Sequence, residues 1–546
     1  MKRFFLIALM AITTTVATWT QDVYYVNVTA TGGDGTSWET AFNSLQDALN
    51  VSSDDYEIWV AEGEYYPNTI AGNGNSTKDK AFVLKKNVRI YGGFNGSETN
   101  FHDRNWKTNI TILSGDLNED NIANDGDAYH VIISSGDVGN ACLDGITISG
   151  AYNTTDITSS SAITVKSNTI SKKHGGGIYI INSSPILKNL IIENNQVFNN
   201  GGGVYIGAID GISIPTLTDV IIRNNSAQSG GGIYNESNSS LSAIFSSKSS
   251  PVLTNVTISE NTANVGGGIY NNSANRHHIT SSTTATTSIA KPALTNVRIN
   301  NNTATGNGGG MYNYSFSHAT DFSASNASDA SPVITNVEIC GNKSGNQGGG
   351  IFNNSNATVV NTGYTEASSS PVLTNVLING NYSVGNGSGM YNTSSASGIY
   401  ATSINNSVFT NVTISGNKNN AVNSSVIHHY VNGTGSHNYN PQFNNCIILG
   451  NNNGIKYTGA VPNQNLEYKY CIVQGLGYCE NDGLWDGTYI ADDIFEEPKD
   501  VNDAPTVDGN YQLKSGSFAI NKGDNDLYES STDITTDLDE IGRAHV

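Results

Sequence analysis

The chain has 546 residues and a formal net charge of −21, and only 13% of its residues are charged. Its solubility therefore rests on amides and hydroxyls, and without a basic stripe to neutralise phosphate the composition excludes nucleic acid and anionic membranes as partners. Length alone suggests several domains, but internal repetition overrides that arithmetic.

The first residues, MKRFFLIALMAITTTVATWTQ, carry two cations, an apolar run from Phe4 to Ile12 and then small and polar residues. That run is far short of the roughly 20 residues of a membrane-spanning helix, so residues 1–20 read as a cleaved export signal, and the mature chain has no transmembrane helix. Residues 21–53 read as an N-terminal cap, because SWETAFNSLQDALNV (37–51) sets Trp38, Phe42, Leu45 and Leu49 on one helical face. EIWVAEGEYYP then opens the repeating body, residues 54–480, and residues 481–539 form a closing tail.

Glycine triplets begin at Gly175, Gly201, Gly230, Gly266, Gly308 and Gly348, with a degenerate GSG at Gly387. Strand-like blocks begin at Pro185, Pro215, Pro251, Pro292, Pro332 and Pro371, of which PVLTNVTISEN is typical. From each proline to the next triplet is 15 or 16 residues, whereas from triplet to proline is 10, 14, 21, 26, 24 and 23. One half of each repeat is fixed and the other varies, as in stacked coils with insertions on one face. Within the fixed half, Leu253, Val256 and Ile258 face inward by period-two alternation and Thr257 faces out. Short β-branched strands with no reversal between them can pair only with the same strand one repeat later, in parallel. The fold expected is all-β, a single-stranded right-handed parallel β-helix with an N-terminal capping helix, its hand set by the crossover rule. The column Asn255, Asn296, Asn336, Asn375 and Asn411 predicts an amide ladder, and the Ser/Thr/Asn/Ala-rich inserts are expected to leave the coil as loops.

YYVNVTATGGDGTSWETAFNSLQDAL, EIWVAEGEYYP, VRIYGGFNGSE, LDGITISG and the GGGIYN/PVLTNVTISGN repeats resemble the exported right-handed β-helix proteins of Gram-negative bacteria, with repeats similar to those of polymorphic outer-membrane proteins. GNYQLKSGSFAINKGDND resembles the tail of the choice-of-anchor β-helix proteins. The resemblance covers essentially residues 24–539; it implies a pectin-lyase-like fold and an extracellular location, secreted or attached to the outer-membrane surface, and no established activity. The FxxN half of the polymorphic-protein motif is largely missing. The last seven residues, EIGRAHV (540–546), break the pattern and read as a translated sequencing-adapter stub, an artefact on a longer natural protein.

Three sets of residues are candidates for function. Tyr179, Tyr205, Tyr234, Tyr270, Tyr312, Phe352 and Tyr391 follow the glycine triplets or their equivalents. Being outward, they either stack on sugar rings or stack on one another beneath the inserts. Asp116, Asn118, Asp120, Asp125 and Asp127 in GDLNEDNIANDGD, with Asp482 and Asp486 further on, have the oxygen-ligand spacing of weak calcium sites, or are solvated turn acids. Calcium is the one cofactor the sequence suggests. The outward strand column carries Arg298 and Glu338 on adjacent coils, with Glu193 and Arg223 beside it. Both pairs read as cross-strand ion pairs, and the Asn-Thr-Asp, Asp-Asp and Gly-His-Gly signatures of polygalacturonases are missing. His277-His278 and His428-His429 read as loop residues. Cys446 and Cys471 occupy equivalent strand positions, as buried thiols or as a stacked or bonded pair. The expected function is a structural and adhesive surface platform binding polysaccharide or a cell-surface ligand; its rival is a polysaccharide lyase or glycoside hydrolase acting on the outward strand face.

Overall fold

The structure is a computed structural model, described here for residues 22–155, 162–239, 246–276, 285–319, 325–360, 363–459, 467–481, 485–524 and 527. The expected export signal (1–20), the closing heptapeptide, His277, His278 and Asp482 lie outside the described residues.

The chain winds in one direction. In the coil that opens at Pro292, strands Ala293–Asn300, Thr303–Ala304, Met311–Ala319 and Ser325–Asp329 follow one another before the next coil begins with Val333–Cys340. Each pairs in parallel with its counterpart one repeat later: Leu294 opposite Ile334, Thr303 opposite Lys343, Tyr312 opposite Phe352 and Ser328 opposite Ala367. Among the described residues this stacking gives a proline-led sheet of 22 strands, its last two antiparallel, a glycine-led sheet of 11, a return sheet of 7 and a short-strand sheet of 5. The fold is a right-handed parallel β-helix, the hand that a right-twisted strand imposes on parallel crossovers. Antiparallel pairing among the described residues is confined to the isolated bridge between Ile70 and Lys80, the hairpin Ala162–Val165 with Asn168–Ser171 and strands near the C-terminal end.

Leu253, Val256 and Ile258 point inward as expected, and with Ile269, Met311, Ile351 and their equivalents they fill one continuous core. Burying each such side chain stabilises the coil by about 1.5–3 kcal/mol. The core is bounded by asparagines. The predicted ladder is present: Asn296 donates to Asn255 at 3.2 Å, Asn336 to Asn296 at 3.2 Å and Asn375 to Asn336 at 2.9 Å, and Asn411 donates to Asn375. Each of these asparagines sits at φ near +55°, where an amide side chain is tolerated.

Where they are described, the inserts are mainly strands rather than loops. Residues after the triplet extend the glycine-led strand beyond the coil, as in Ile233–Ser239 and Met311–Ala319, and the chain returns through strands such as Ser247–Ser249 and Ser325–Asp329. The two layers face each other through small polar side chains: Ser273 Oγ donates to Ser288 O at 2.6 Å, Ser315 and Ser328 hydroxyls lie 2.6 Å apart, and Ser394 Oγ donates to Ser403 Oγ at 2.8 Å. The result is a flange with a hydrogen-bonded hydroxyl interior alongside the apolar barrel. Small residues permit the close approach, and their hydrogen bonds offset the cost of burying them.

The helix is Leu45–Val51, shorter than the expected 37–51, because Ser44 caps it by accepting from Gln46 N. Leu45, Ala48 and Leu49 bury into the core beside Val26, Ile58 and Ile90. Trp38 and Phe42 precede the helix; Phe42 bridges Val26 and Trp38 packs edge-on against Tyr25 at 4.8 Å. At the other end, residues 491–511 run back over the bends of the proline-led sheet. There the column Asn194, Asn224, Glu260, Asn301 changes to Gly341, Gly380, Gly416 and Gly450. A Cβ on Gly380 would stand 2.1 Å from Thr506 O, so glycine is required where the tail crosses. Among the described residues no helix is long and apolar enough to cross a membrane.

Candidate functional site

The aromatic column lies on the outer side of the glycine-led sheet, opposite the core-facing Ile178, Ile269 and Met311. Centroids of successive rings are 4.6 Å apart for Tyr179–Tyr205, 5.8 Å for Tyr205–Tyr234, 5.0 Å for Tyr234–Tyr270, 4.7 Å for Tyr270–Tyr312, 4.7 Å for Tyr312–Phe352 and 5.1 Å for Phe352–Tyr391. Strand spacing and ring stacking distance nearly coincide, so each ring covers the faces of its neighbours. Tyr270 is partly buried and the other six are no more than 8% exposed. The expectation of a sugar-stacking column is corrected accordingly: the rings point away from the core but offer no open face. At the N-terminal end the hairpin residues Ile163, Val165 and Ile170 also pack against them.

The column is longer than the sequence suggested. His428 stacks on Tyr391 at 5.1 Å, and His130 meets Tyr179 edge-on at 5.3 Å. His428 and His429 are strand residues of Ile427–Gly433, not loop residues. His429 ends an inner ladder in which Asn235 donates to Asn271, Asn271 to Asn313, Asn313 to Asn353 and Asn353 to Asn392, and Asn392 Nδ2 lies 3.0 Å from His429 Nδ1. Burial depresses both imidazoles, His428 to about 4 and His429 well below its ordinary value. A third, fully buried ladder runs through Asn195, Asn225, Asn261, Asn302, Asn342, Asn381, Asn417 and Asn451. These asparagines were readable as the last residue of the ENN, RNN, SEN, NNN, CGN, NGN, SGN and LGN blocks, but the abundance of asparagine hid them.

Glu236 is a partly buried carboxylate that sequence reasoning did not single out. It occupies the outer column two residues beyond Tyr234, where other coils carry Asn272, Tyr314 and Asn354. Tyr205 Oη donates to Glu236 Oε2 at 2.8 Å and Asn272 Nδ2 donates to Oε1 at 3.2 Å. Burial pushes its carboxyl above the usual range, while the Tyr205 hydroxyl and the charge of Arg276 hold it down in part. The Arg276 guanidinium lies 5.5 Å over the Phe316 ring, and Tyr314, Phe316 and His318 follow one another along the strand with centroids 6.3 and 6.1 Å apart.

The acidic loop is a set of turn caps. Asp116 accepts from Asp120 N at 3.3 Å and Asn121 N at 2.7 Å, Asp127 accepts from Asn124 N at 2.8 Å, Asp120 accepts from Asn118 Nδ2 at 2.9 Å, and Asp125 pairs with Lys78 at 2.5 Å. Burial, with Asp116 and Asp120 nearby, raises Asp127 to about 6. Among the described residues no three His, Cys, Asp or Glu side chains converge as a metal cage. Of the two readings of Asp116, Asn118, Asp120, Asp125 and Asp127, calcium ligands or turn acids, the geometry favours turn acids, because the carboxylates of Asp116 and Asp120 accept from the loop's own N–H groups.

Arg298 Nε donates to Glu338 Oε2 at 2.6 Å and Arg223 Nε to Glu193 Oε2 at 2.6 Å, so each charged pair on the outward strand column satisfies itself. The three thiols of Cys446, Cys471 and Cys479 are buried together in the last coils, with Cys471 directly opposite Cys479.

The profile of the Chlamydia polymorphic membrane protein repeat matches residues 219–236, from the bend at Asp219 to Glu236. Similar solved structures include pectate lyase Pel9A, at 12% identity over 95% of this chain and 96% of that one with a TM-score of 0.35. The surface adhesin PfbA of Streptococcus pneumoniae is 13% identical over 80% of this chain and 93% of its own, with a TM-score of 0.32. Pectin methylesterase PemA from Erwinia chrysanthemi is 10% identical over 76% and 89%, with a TM-score of 0.25. No curated protein sequence matches the chain.

Proposed function

We propose that this chain is a secreted or surface-displayed structural and adhesive platform, which binds extracellular polysaccharide or a cell-surface ligand through its outer sheet faces and flange. The observation that carries this reading is the flange itself: two layers of in-register strands that extend the coil with a surface mainly of hydroxyls and amides, interrupted by a few charged side chains such as Lys248 and Glu366. Such a surface is rigid, repeats along the axis and is rich in donors and acceptors at low cost in desolvated charge. The match to a polymorphic membrane protein repeat supports a surface setting. The charged pairs on the outward strand face are tied to each other, which favours binding over cleavage there. A glycan array probed with the full-length protein, with product analysis of every bound polymer, tests the reading. Binding without new chain ends is the expected result; release of unsaturated or reducing ends would overturn it in favour of a lyase or hydrolase.

A further inference from the structure

Beyond the buried aromatic column, the outer face of the glycine-led sheet carries a second set of rings that do not stack across coils. Tyr314 is in register with Asn354, Thr393 and then Tyr430, and Phe316 is in register with Asn356, Ser395 and Asn432. Alternation places all of these on the outer face, and burial agrees: Ser315, Ser355 and Ser394 between them are buried, whereas Tyr314, Phe316, Asn354, Asn356, Thr393, Ser395 and Tyr430 are half-buried.

Two short polar residues therefore separate two rings in the same column. Tyr314 and Tyr430 stand three coils apart, about 14 Å at the spacing of paired strands. Tyr314 and Phe316, with planes 16° apart, form one wall; Tyr430 forms the other. The floor between them consists of Asn354, Asn356, Thr393 and Ser395. Arg276 covers Phe316 from the preceding coil, which leaves the trough side of that ring as its other face.

We infer that this trough binds a neutral polysaccharide chain, laid along the strands with sugar faces on Tyr314 and Phe316 and hydroxyls on the floor amides and hydroxyls. The inference rests on the platform reading and names its site. Aromatic faces beside amide and hydroxyl donors suit a pyranose, which has an apolar face and a polar rim. Charge selects the class of polymer: none of these wall and floor residues is acidic or basic, and the chain carries a net −21. A polyuronate or teichoic-type polyanion would find no cation among the wall and floor residues, Arg276 being engaged on the Phe316 ring, and would meet the net negative charge of the chain.

Affinity electrophoresis of the full-length protein tests this, in gels containing a neutral β-glucan, a neutral galactomannan or polygalacturonate. Retardation by at least one neutral polymer is expected, weakened about tenfold or more when Tyr314→Ala and Tyr430→Ala are combined. Thr393→Trp, which fills the floor and removes no ring, should weaken it similarly, while Tyr314→Phe should bind as the wild type. Thermal midpoints confirm that each variant is folded. Retardation by polygalacturonate alone, or neutral binding untouched by both the double variant and Thr393→Trp, would overturn the trough. A wild type that binds cell surfaces but neither neutral polymer overturns the trough and leaves the platform standing; one that binds neither overturns both.

Discussion

Replacing Asn302 by alanine probes the buried ladder where its hydrogen bonds are best defined. Asn302 is fully buried; its Oδ1 accepts from Asn261 N at 3.1 Å and Asn261 Nδ2 at 3.0 Å, and its Nδ2 donates to Ile258 O at 2.9 Å and Asn342 Oδ1 at 3.0 Å. Alanine leaves the Asn261 N–H with no acceptor, at about 1–3 kcal/mol, and weakens the pairing of Asn261 Nδ2 and Ile258 O by about 1 kcal/mol each, so the total is about 3–5 kcal/mol. Asn296→Gly is the control, since it removes rungs of an exposed ladder at a bend glycine can adopt, and should cost about 1 kcal/mol. Asn302→Asp keeps the acceptor but buries a carboxylate against Asn342 Oδ1. The folded chain then holds the proton, so that variant is most stable below the ordinary carboxylate range and loses stability as pH rises through it. Urea denaturation followed by far-ultraviolet circular dichroism measures all three. An Asn302→Ala variant no less stable than Asn296→Gly would refute the reasoning.

Four further outcomes are expected. Burial raises the tyrosines of the column, Tyr312 and Tyr391 to about 12 and Tyr205, Tyr234 and Tyr270 further still. Their neutral forms stabilise the fold below about pH 10, and that contribution falls as pH rises beyond it; phenolate absorbance from the column should appear together with unfolding. His429→Asn continues the inner ladder without an imidazole. Histidines with depressed values contribute stability that is present above about pH 6.5 and lost as pH falls, so this variant should show a smaller drop in thermal midpoint between about pH 6.5 and 4. In Gly309→Ala the new Cβ would lie 2.5 Å from Gly349 O and 2.6 Å from Lys343 O, both backbone, and stability should fall by roughly 1–3 kcal/mol in chemical denaturation. Adding calcium or a chelator should leave the thermal midpoint where it was, because the oxygens of Asp116 and Asp120 are committed to nearby N–H groups; a rise with calcium would restore the metal reading.

The coil was legible in the sequence because PVLTN and GGGIYN combine strict spacing with strong hydrophobic contrast. Asn255 and its equivalents follow directly, since only a few residue types tolerate the bend they occupy. The flange was not legible for the opposite reason: in NESNS the alternation of Asn235, Ser237 and Ser239 sets small polar residues against other polar residues, a period without contrast in hydropathy. The position and outward sense of the aromatic column could be read, and its closure was one of two alternatives, decided by rings at strand spacing covering one another. The acidic loop shows the limit of spacing arguments, since Asx turns and metal loops draw on the same residues. Glu236 passed unnoticed because one acid in a column that otherwise mixes amides, rings and a hydroxyl has no motif; only its register beside Tyr205 and Asn272 singles it out.

Everything rests on like residues of successive copies lying side by side. Val333 and Val372 are register partners on adjacent coils, 38% and 37% exposed. Their Cα atoms should be about 4.8 Å apart, within disulfide reach. Mild oxidation of a Val333→Cys, Val372→Cys variant, read by mass spectrometry, should give an intramolecular disulfide in nearly all molecules. Failure of that pair to close, with ready closure of Val333→Cys to Asn354→Cys inside one copy, would contradict the stacked coil and the platform built on it.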